Sequence, residues 1–204
     1  MGRVLAFVMR LLAAPRTIWF EGGPVARQRI YFANHTSNAD LPLIWTVLPP
    51  ALRRRTRPVA AADYWLKNGV RAFFGRDVFR GVLVDRRPEA RAEGDDPMAT
   101  IRAALDSGAS LIIFPEGRRN ESKAKLLPFR AGLYNMAASH PQVELVPVWI
   151  ENLNKVMPRG EVVPIPLICT VAFGTPMERL EGEGKDAFLD RARRALLDVR
   201  KRAA

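Results

Sequence analysis

The sequence predicts an α/β domain built on a mostly parallel central sheet flanked by helices. Three observations predict it. Short apolar runs alternate with segments of helical periodicity along the whole chain. One of those runs, LIIF within residues 110–115, is apolar at successive positions, the mark of a strand covered on both faces. The chain's 204 residues, 48% hydrophobic and 26% charged, suit one globular domain with a sizeable core and not a disordered chain.

The elements follow in order. Residues 3–20 read as an amphipathic helix lying in a membrane interface, apolar on one side and arginine-bearing on the other, ending at Trp19 and Phe20. The bland alternative is a short helix packed on the core. No run reaches the roughly 18 uncharged apolar residues of a membrane span, since VLAFVMRLLAA (4–14) is interrupted by Arg10 and stopped by Pro15. The same interruption argues against a signal peptide. RIYFAN (29–34) is a buried strand, and Asp40 heads a helix over LPLIWTVL (41–48). PPALRRRTRP (49–58) is a basic loop or short helix, PVAAA (58–62) a second strand, YWLKNGVRAFFG (64–75) a helix and VFRGVLVD (78–85) a strand. A charged loop (87–97) precedes a helix over 98–108, stopped by Gly108. SLIIFP (110–115) is a strand, FRAGLYNMAASH (129–140) a helix, and VELVPVWI (143–150) and PLICTVAFG (166–174) are strands. Apolar residues at 188, 189, 192, 195, 196 and 199 stripe a final helix over 186–202.

Composition narrows the function. A single cysteine, Cys169, forms no internal disulfide, and with only two histidines a Cys/His structural zinc site is excluded. A formal charge of +11 and a pI near 10.7 point to a polyanionic partner: phosphate, an anionic membrane surface or nucleic acid. No zinc, RRM or recognition-helix pattern supports the nucleic-acid reading, and no nucleic-acid partner is expected.

The usual catalytic signatures are absent: no G-x-S-x-G, no phosphate-loop or dinucleotide glycine pattern, no H-E-x-x-H. His140 at a helix end reads as a cap or a solvated side chain, and Cys169 as an inert core thiol. His35 remains, in NHTSNAD (34–40), directly after a buried strand and thus where α/β sheets bind ligands. Asp40, five residues on, can reach one imidazole nitrogen and leave the other free as a base. Asn34, Thr36, Ser37 and Asn38 can hold the turn. The competing reading is a polar turn with a chance histidine and an aspartate cap. FPEGRRN (114–120) also follows a buried strand. Glu116, Gly117, Arg118 and Arg119 there form a rim able to bind phosphate, or else a solvated charged loop. Arg86 closes VDR (84–86) at another strand end.

Taken together, these pieces resemble the glycerolipid acyltransferases of the lysophosphatidic acid acyltransferase (PlsC-like) family. NHTSNAD matches the family's N-H-x-x-x-x-D block; FRGVLVDR (79–86) resembles its second block; FPEGRRN its third, usually F-P-E-G-T-R-S; and VPVWI (146–150) its fourth. LLPFRAG (126–132) resembles a segment that follows the third block. The order is the family's. Arg118 stands where the family has threonine and Asn120 where it has serine, which bears on acceptor preference more than on the reaction.

The resemblance implies the PlsC-like fold, with residues 1–24 as the membrane-interface segment and 25–204 as the acyltransferase domain. It implies transfer of a fatty acyl group from acyl-CoA or acyl carrier protein to the hydroxyl of a lysophospholipid, most directly 1-acylglycerol-3-phosphate, with no metal and no cofactor beyond the donor. His35 would be the base and Asp40 its orienting partner. Arg86 and Arg119 would grip the acceptor phosphate, with Arg130 as helper and Arg118 beside them, and Glu116 and Gly117 would shape the acceptor site. Such a protein would sit peripherally or monotopically on the cytoplasmic face of a membrane, with an anionic lipid surface as partner. A different acceptor, such as a lyso-ornithine lipid, is the main alternative; a non-catalytic membrane-binding relative is another.

Overall fold

The computed structural model describes residues 2, 14–21, 23–85, 96–153 and 169–204. Seven strands make one sheet: β1 (Arg16–Trp19), β2 (Arg29–Ala33), β3 (Thr56–Ala61), β4 (Val82–Val84), β5 (Ser110–Ile113), β6 (Glu144–Glu151) and β7 (Thr170–Phe173). Their spatial order is β1-β7-β6-β2-β5-β3-β4. β6, β2, β5, β3 and β4 run parallel; β7 turns antiparallel against β6, and β1 follows β7 in parallel. The sheet is therefore mostly parallel, with a reversed pair at one edge.

The described helices are α1 (Asp40–Val47), α2 (Pro50–Arg53), α3 (Ala62–Trp65), α4 (Gly69–Phe73), α5 (Pro97–Asp106), α6 (Gly132–Ser139) and α7 (Lys185–Ala203). Side-chain alternation along the strands splits the core in two. Tyr31, Ile112, Val146, Val148 and Phe173 face α1, through Leu43, Ile44 and Trp45. Ile30, Phe32, Leu111, Ile113 and Leu145 face α5, α6 and α7, through Ile101, Leu133, Phe188 and Leu196. Every residue of β2 and β5 is buried, as a strand covered on both faces requires.

Several expectations shift at their edges. Residues 16–19 are a strand rather than the end of an amphipathic helix: after Pro15 the run Thr17-Ile18-Trp19 is β-forming, and Trp19 stacks on Phe173 with ring centroids 3.8 Å apart. The remainder of the interfacial reading, residues 3–13, lies outside the described residues. The helix expected over 64–75 is broken, because Asn68 caps α4 by accepting a hydrogen bond from the Arg71 amide at 2.9 Å. A π turn (Phe74–Val78) then occupies the start of the strand expected at 78, and β4 begins only at Val82, after Arg80 adopts φ +52°. α6 starts at Gly132, three residues later than expected. α5 is capped by Asp96, whose Oδ1 accepts from the Met98 amide, and Gly108 ends its last turn at φ +78°.

Pro147 sits inside β6, where proline normally breaks a ladder. Its carbonyl accepts from the Gly174 amide, just past the end of β7. Its missing N–H is therefore on the β7 side, beyond the last paired residue of that strand, and the β2 ladder is spared. Away from the site, His140 is buried and ties α6 to α5, with Nε2 3.0 Å from Asp106 and Nδ1 2.9 Å from Ser139 Oγ. It is not solvated and does not line the cavity described next.

Candidate active site

Three parallel strands end side by side at one rim of the sheet, and the polar motifs begin where they end. β2 stops at Ala33 and delivers Asn34 and His35. β5 stops at Ile113 and delivers Phe114, Pro115 and Glu116. β3 stops at Ala61 and delivers Asp63, Tyr64 and Trp65. A cavity of about 750 Å³ opens at this rim, within the size range of small-molecule sites.

His35 Nδ1 lies 2.9 Å from Asp40 Oδ2. The carboxylate can only accept there, so Nδ1 carries the proton and Nε2 presents a lone pair. Asp40 is fully buried. The same Oδ2 accepts from the Thr36 and Ser37 amides, each at 2.7 Å, so the loop wraps the carboxylate before α1 begins. Oδ1 is buried with no hydrogen-bond partner among the described residues. The carboxylate's contacts are thus concentrated on the oxygen that orients the imidazole. Spacing foresaw this pair; the two amide bonds show that Asp40 also closes the turn.

The FPEGRRN segment grips His35 from three directions. The Phe114 ring stacks on the imidazole at 4.2 Å between centroids. Glu116 Oε1 accepts from the His35 amide at 2.8 Å, and the Asn120 amide donates to the His35 carbonyl at 2.7 Å. Glu116 Oε2 accepts from the Leu127 amide at 2.8 Å, so this buried side chain spends both oxygens on backbone. Burial pushes its carboxyl above the ordinary glutamate range, against the pull of the two amides. Among the described residues Glu116 neither lines the cavity nor pairs with an arginine; it braces two loops.

The other expected residues divide in the same way. Gly117, Arg118, Arg119 and Arg130 line the cavity with His35. Gly117 has φ +72°, and a Cβ there would overlap Arg130 Cδ and Nε, so glycine lets this guanidinium lie across the loop. Arg119 is held by Glu121 at 2.6 Å and by Asn38 Oδ1 at 3.0 Å. Arg118 and Arg130 have no ion-pair partner among the described residues. Asn120 is absorbed by its own loop, accepting from Ser122 and donating to the Ala124 carbonyl at 2.8 Å. Arg86 lies outside the described residues.

Some contributors escaped the sequence reading. Asn34 does not hold its own turn; its side chain bonds both the amide and the carbonyl of Ile150, at 2.8 and 3.0 Å, fastening the end of β2 to β6. Tyr64 and Trp65 line the cavity from α3, and Val59, Val84, Ile101, Ile113, Leu133 and Met136 give it an apolar wall. The aromatic pair directly after an apolar strand was the available signal. Cys169 is inert as expected: burial first, and the Asp40 carboxylate second, push its thiol up to about 11. The cavity thus joins an oriented imidazole, three guanidiniums and an apolar wall.

A family model described as Acyltransferase matches residues 20–151. A 1-acyl-sn-glycerol-3-phosphate acyltransferase of Cocos nucifera is 29% identical over 185 residues, which are 87% of this chain and 53% of that protein. A protein named Taffazin from Dictyostelium discoideum is 32% identical over 157 residues, 70% of this chain and 51% of that one. The chain spans about half the length of these curated relatives. The crystal structure of the 1-acyl-sn-glycerophosphate (LPA) acyltransferase PlsC from Thermotoga maritima superposes with a TM-score of 0.74 at 20% identity, covering 100% of this chain and 80% of that one, and establishes the shared fold.

Proposed function

Because the chain belongs to the acyltransferase family, we propose that it moves a fatty acyl group from an acyl thioester to the free hydroxyl of a lysophospholipid, with 1-acylglycerol-3-phosphate as the acceptor and phosphatidic acid as the product. One observation carries this reading: His35, oriented by Asp40, lines the same cavity as Arg118, Arg119, Arg130 and an apolar wall. A phosphate, a hydroxyl and a fatty chain are the three parts of such an acceptor complex, and each has a matching surface. The names of the coconut and Thermotoga relatives support the same acceptor.

In this mechanism the acceptor hydroxyl lies against His35 Nε2. The imidazole takes its proton as the oxygen attacks the thioester carbonyl, and the Asp40 carboxylate stabilises the imidazolium that results. The C–O bond forms, the C–S bond breaks, and the departing thiolate takes the proton back from His35. Attack is direct, so no acyl-enzyme forms and no group beyond the acyl-CoA or acyl carrier protein donor is needed. Arg119, pre-set by Glu121 and Asn38, and Arg130 hold the acceptor phosphate. Of the two departures from the family's third block, only Arg118 lines the cavity; any shift in acceptor preference is therefore assigned to Arg118 and not to Asn120. The protein works at a membrane surface, where its acceptor and product reside.

The test is an assay of purified protein against a panel of lysolipids and acyl thioesters. Turnover is expected with 1-acylglycerol-3-phosphate, and His35→Ala should lower it by about 100- to 10,000-fold while the protein remains folded. Near-normal turnover by folded His35→Ala would remove His35 as the base. Turnover only with a phosphate-free acceptor would remove the arginines as its grip.

A further inference from the structure

Five large apolar side chains are exposed among the described residues: Val25, Leu66, Val70, Phe73 and Leu180. Three of them fall within the eight residues 66–73. Val70 is 69% exposed, Leu66 41% and Phe73 40%. None lines the cavity, yet α3, which ends just before Leu66, contributes Asp63, Tyr64 and Trp65 to it. The three side chains thus lie beside the mouth of the site, past the carboxyl end of β3. Val25 precedes the amino end of β2, and Leu180 follows Met177, which pairs with Leu145 near the amino end of β6. Those two belong to the opposite end of the sheet.

The charge around the three is matched to their exposure. Residues 62–77 carry Lys67, Arg71 and Arg76 against Asp63 and Asp77. Arg71 is fixed with its guanidinium 4.5 Å from the centre of the Tyr64 ring, which ties the basic rim to the cavity wall. Apolar side chains protruding among cations are the pattern that inserts into an anionic bilayer: the chains enter the acyl boundary while the cations meet the headgroups. The basic run Arg53–Arg55 does not share this face, because it precedes β3 and so lies at the sheet's other end.

We propose that Leu66, Val70 and Phe73, ringed by Lys67, Arg71 and Arg76, form a docking surface for an anionic lipid bilayer that seats the cavity mouth on the membrane. The surface deepens the acyl-transfer reading and rests on its placing the acceptor in a bilayer. Its occupant is the lipid surface itself, because cations flank the apolar residues on a protein whose overall charge is +11.

Vesicle binding tests it without turnover, so it is scored whether or not the acyl-transfer reading holds. The full chain is floated with vesicles of phosphatidylcholine and phosphatidylglycerol, and with phosphatidylcholine alone. Wild type should prefer the anionic vesicles and lose affinity as salt rises. Val70→Glu with Phe73→Glu should weaken anionic-vesicle binding by about tenfold or more, since two inserting side chains are lost. The pair should leave activity on a dispersed short-chain acceptor unchanged. Lys67→Glu with Arg76→Glu, which alters only exposed charges, should also weaken binding and covers the case in which the first variant misfolds. Leu180→Glu should bind as wild type. Unchanged binding by both double variants would overturn the proposal, as would an equal loss in Leu180→Glu. A lipid-free dimer that Val70→Glu with Phe73→Glu dissociates, with vesicle binding intact, would give the face to a second copy of the chain and overturn it as well.

Discussion

Glu116 holds the site without lining its cavity. Its two oxygens accept backbone amides from His35 and Leu127, joining a loop after β2 to one after β5. Glu116→Gln keeps the shape but turns one acceptor into a donor facing an amide. The loss should be about 1–3 kcal/mol of stability, read from the denaturant midpoint, together with slower turnover as the histidine loop loosens. Gly117 is a second such position. Gly117→Ala forces a side chain onto Arg130 in a backbone conformation that alanine resists, so the acceptor KM should rise more than the donor KM. A proportionate rise in both would separate Arg130 from acceptor binding. At this scale the sequence was informative about identity and less so about task. His35 and Asp40 could be paired from spacing because five residues of turn bring them together. The destination of the Glu116 carboxylate depends on Leu127, and that of the Asn34 amide on Ile150, a partner 116 residues away. No local pattern encodes such a pairing.

Among the elements, β1 carries the clearest lesson. Val-Leu-Ala-Phe followed by Thr-Ile-Trp offered one continuous amphipathic reading, yet Pro15 divides it and the second part pairs with β7. The strand is four residues at an edge, and its propensity was visible; its partner was not, because β7 is contributed by residues 170–173. Trp19, half-buried against Phe173, should cost about 2 kcal/mol or more when replaced by alanine. The same fact decides how to truncate the chain. Removal of residues 1–20 deletes an edge strand and should lower the melting temperature by several degrees more than removal of residues 1–13, which leaves β1 whole. A melting curve on the two truncations checks this, and a fall of equal size in both would mean that β1 contributes little.

Over the whole molecule, acid sensitivity follows from pairs that tie distant segments. The Arg191 guanidinium holds the Glu183 carboxyl below the ordinary glutamate range through hydrogen bonds of 2.7 and 2.6 Å. Burial pushes Glu144 up, but Arg27 and Arg29 together outweigh it and hold it low. Carboxyls lowered on folding stabilise above their unfolded value, about 4.3, and that contribution is lost as pH falls below it. Glu116, raised on folding, acts in the opposite sense and loses stability as pH climbs above the same value. The melting temperature should therefore fall steeply below about pH 4, and Arg191→Ala should make that fall shallower; an unchanged slope would remove Glu183 from the account. The mostly parallel arrangement itself was legible, since alternating runs and a doubly covered LIIF strand leave few other choices. That arrangement also governs how the protein is born. β2 leads into His35, and it lies between β5 and β6, which are made respectively more than seventy and more than a hundred residues later. At a ribosome's pace of roughly 5–20 residues per second, the wait for β6 is on the order of ten seconds. Until β5 is made, Ile30, Tyr31 and Phe32 are an apolar segment without either neighbour, and until β6 is made one side of β2 stays open. The last fastening comes late in synthesis, when β6 closes on Asn34, and a chain released before residue 151 would carry the histidine motif and its Glu116 brace without the bonds that tie the end of β2 to β6.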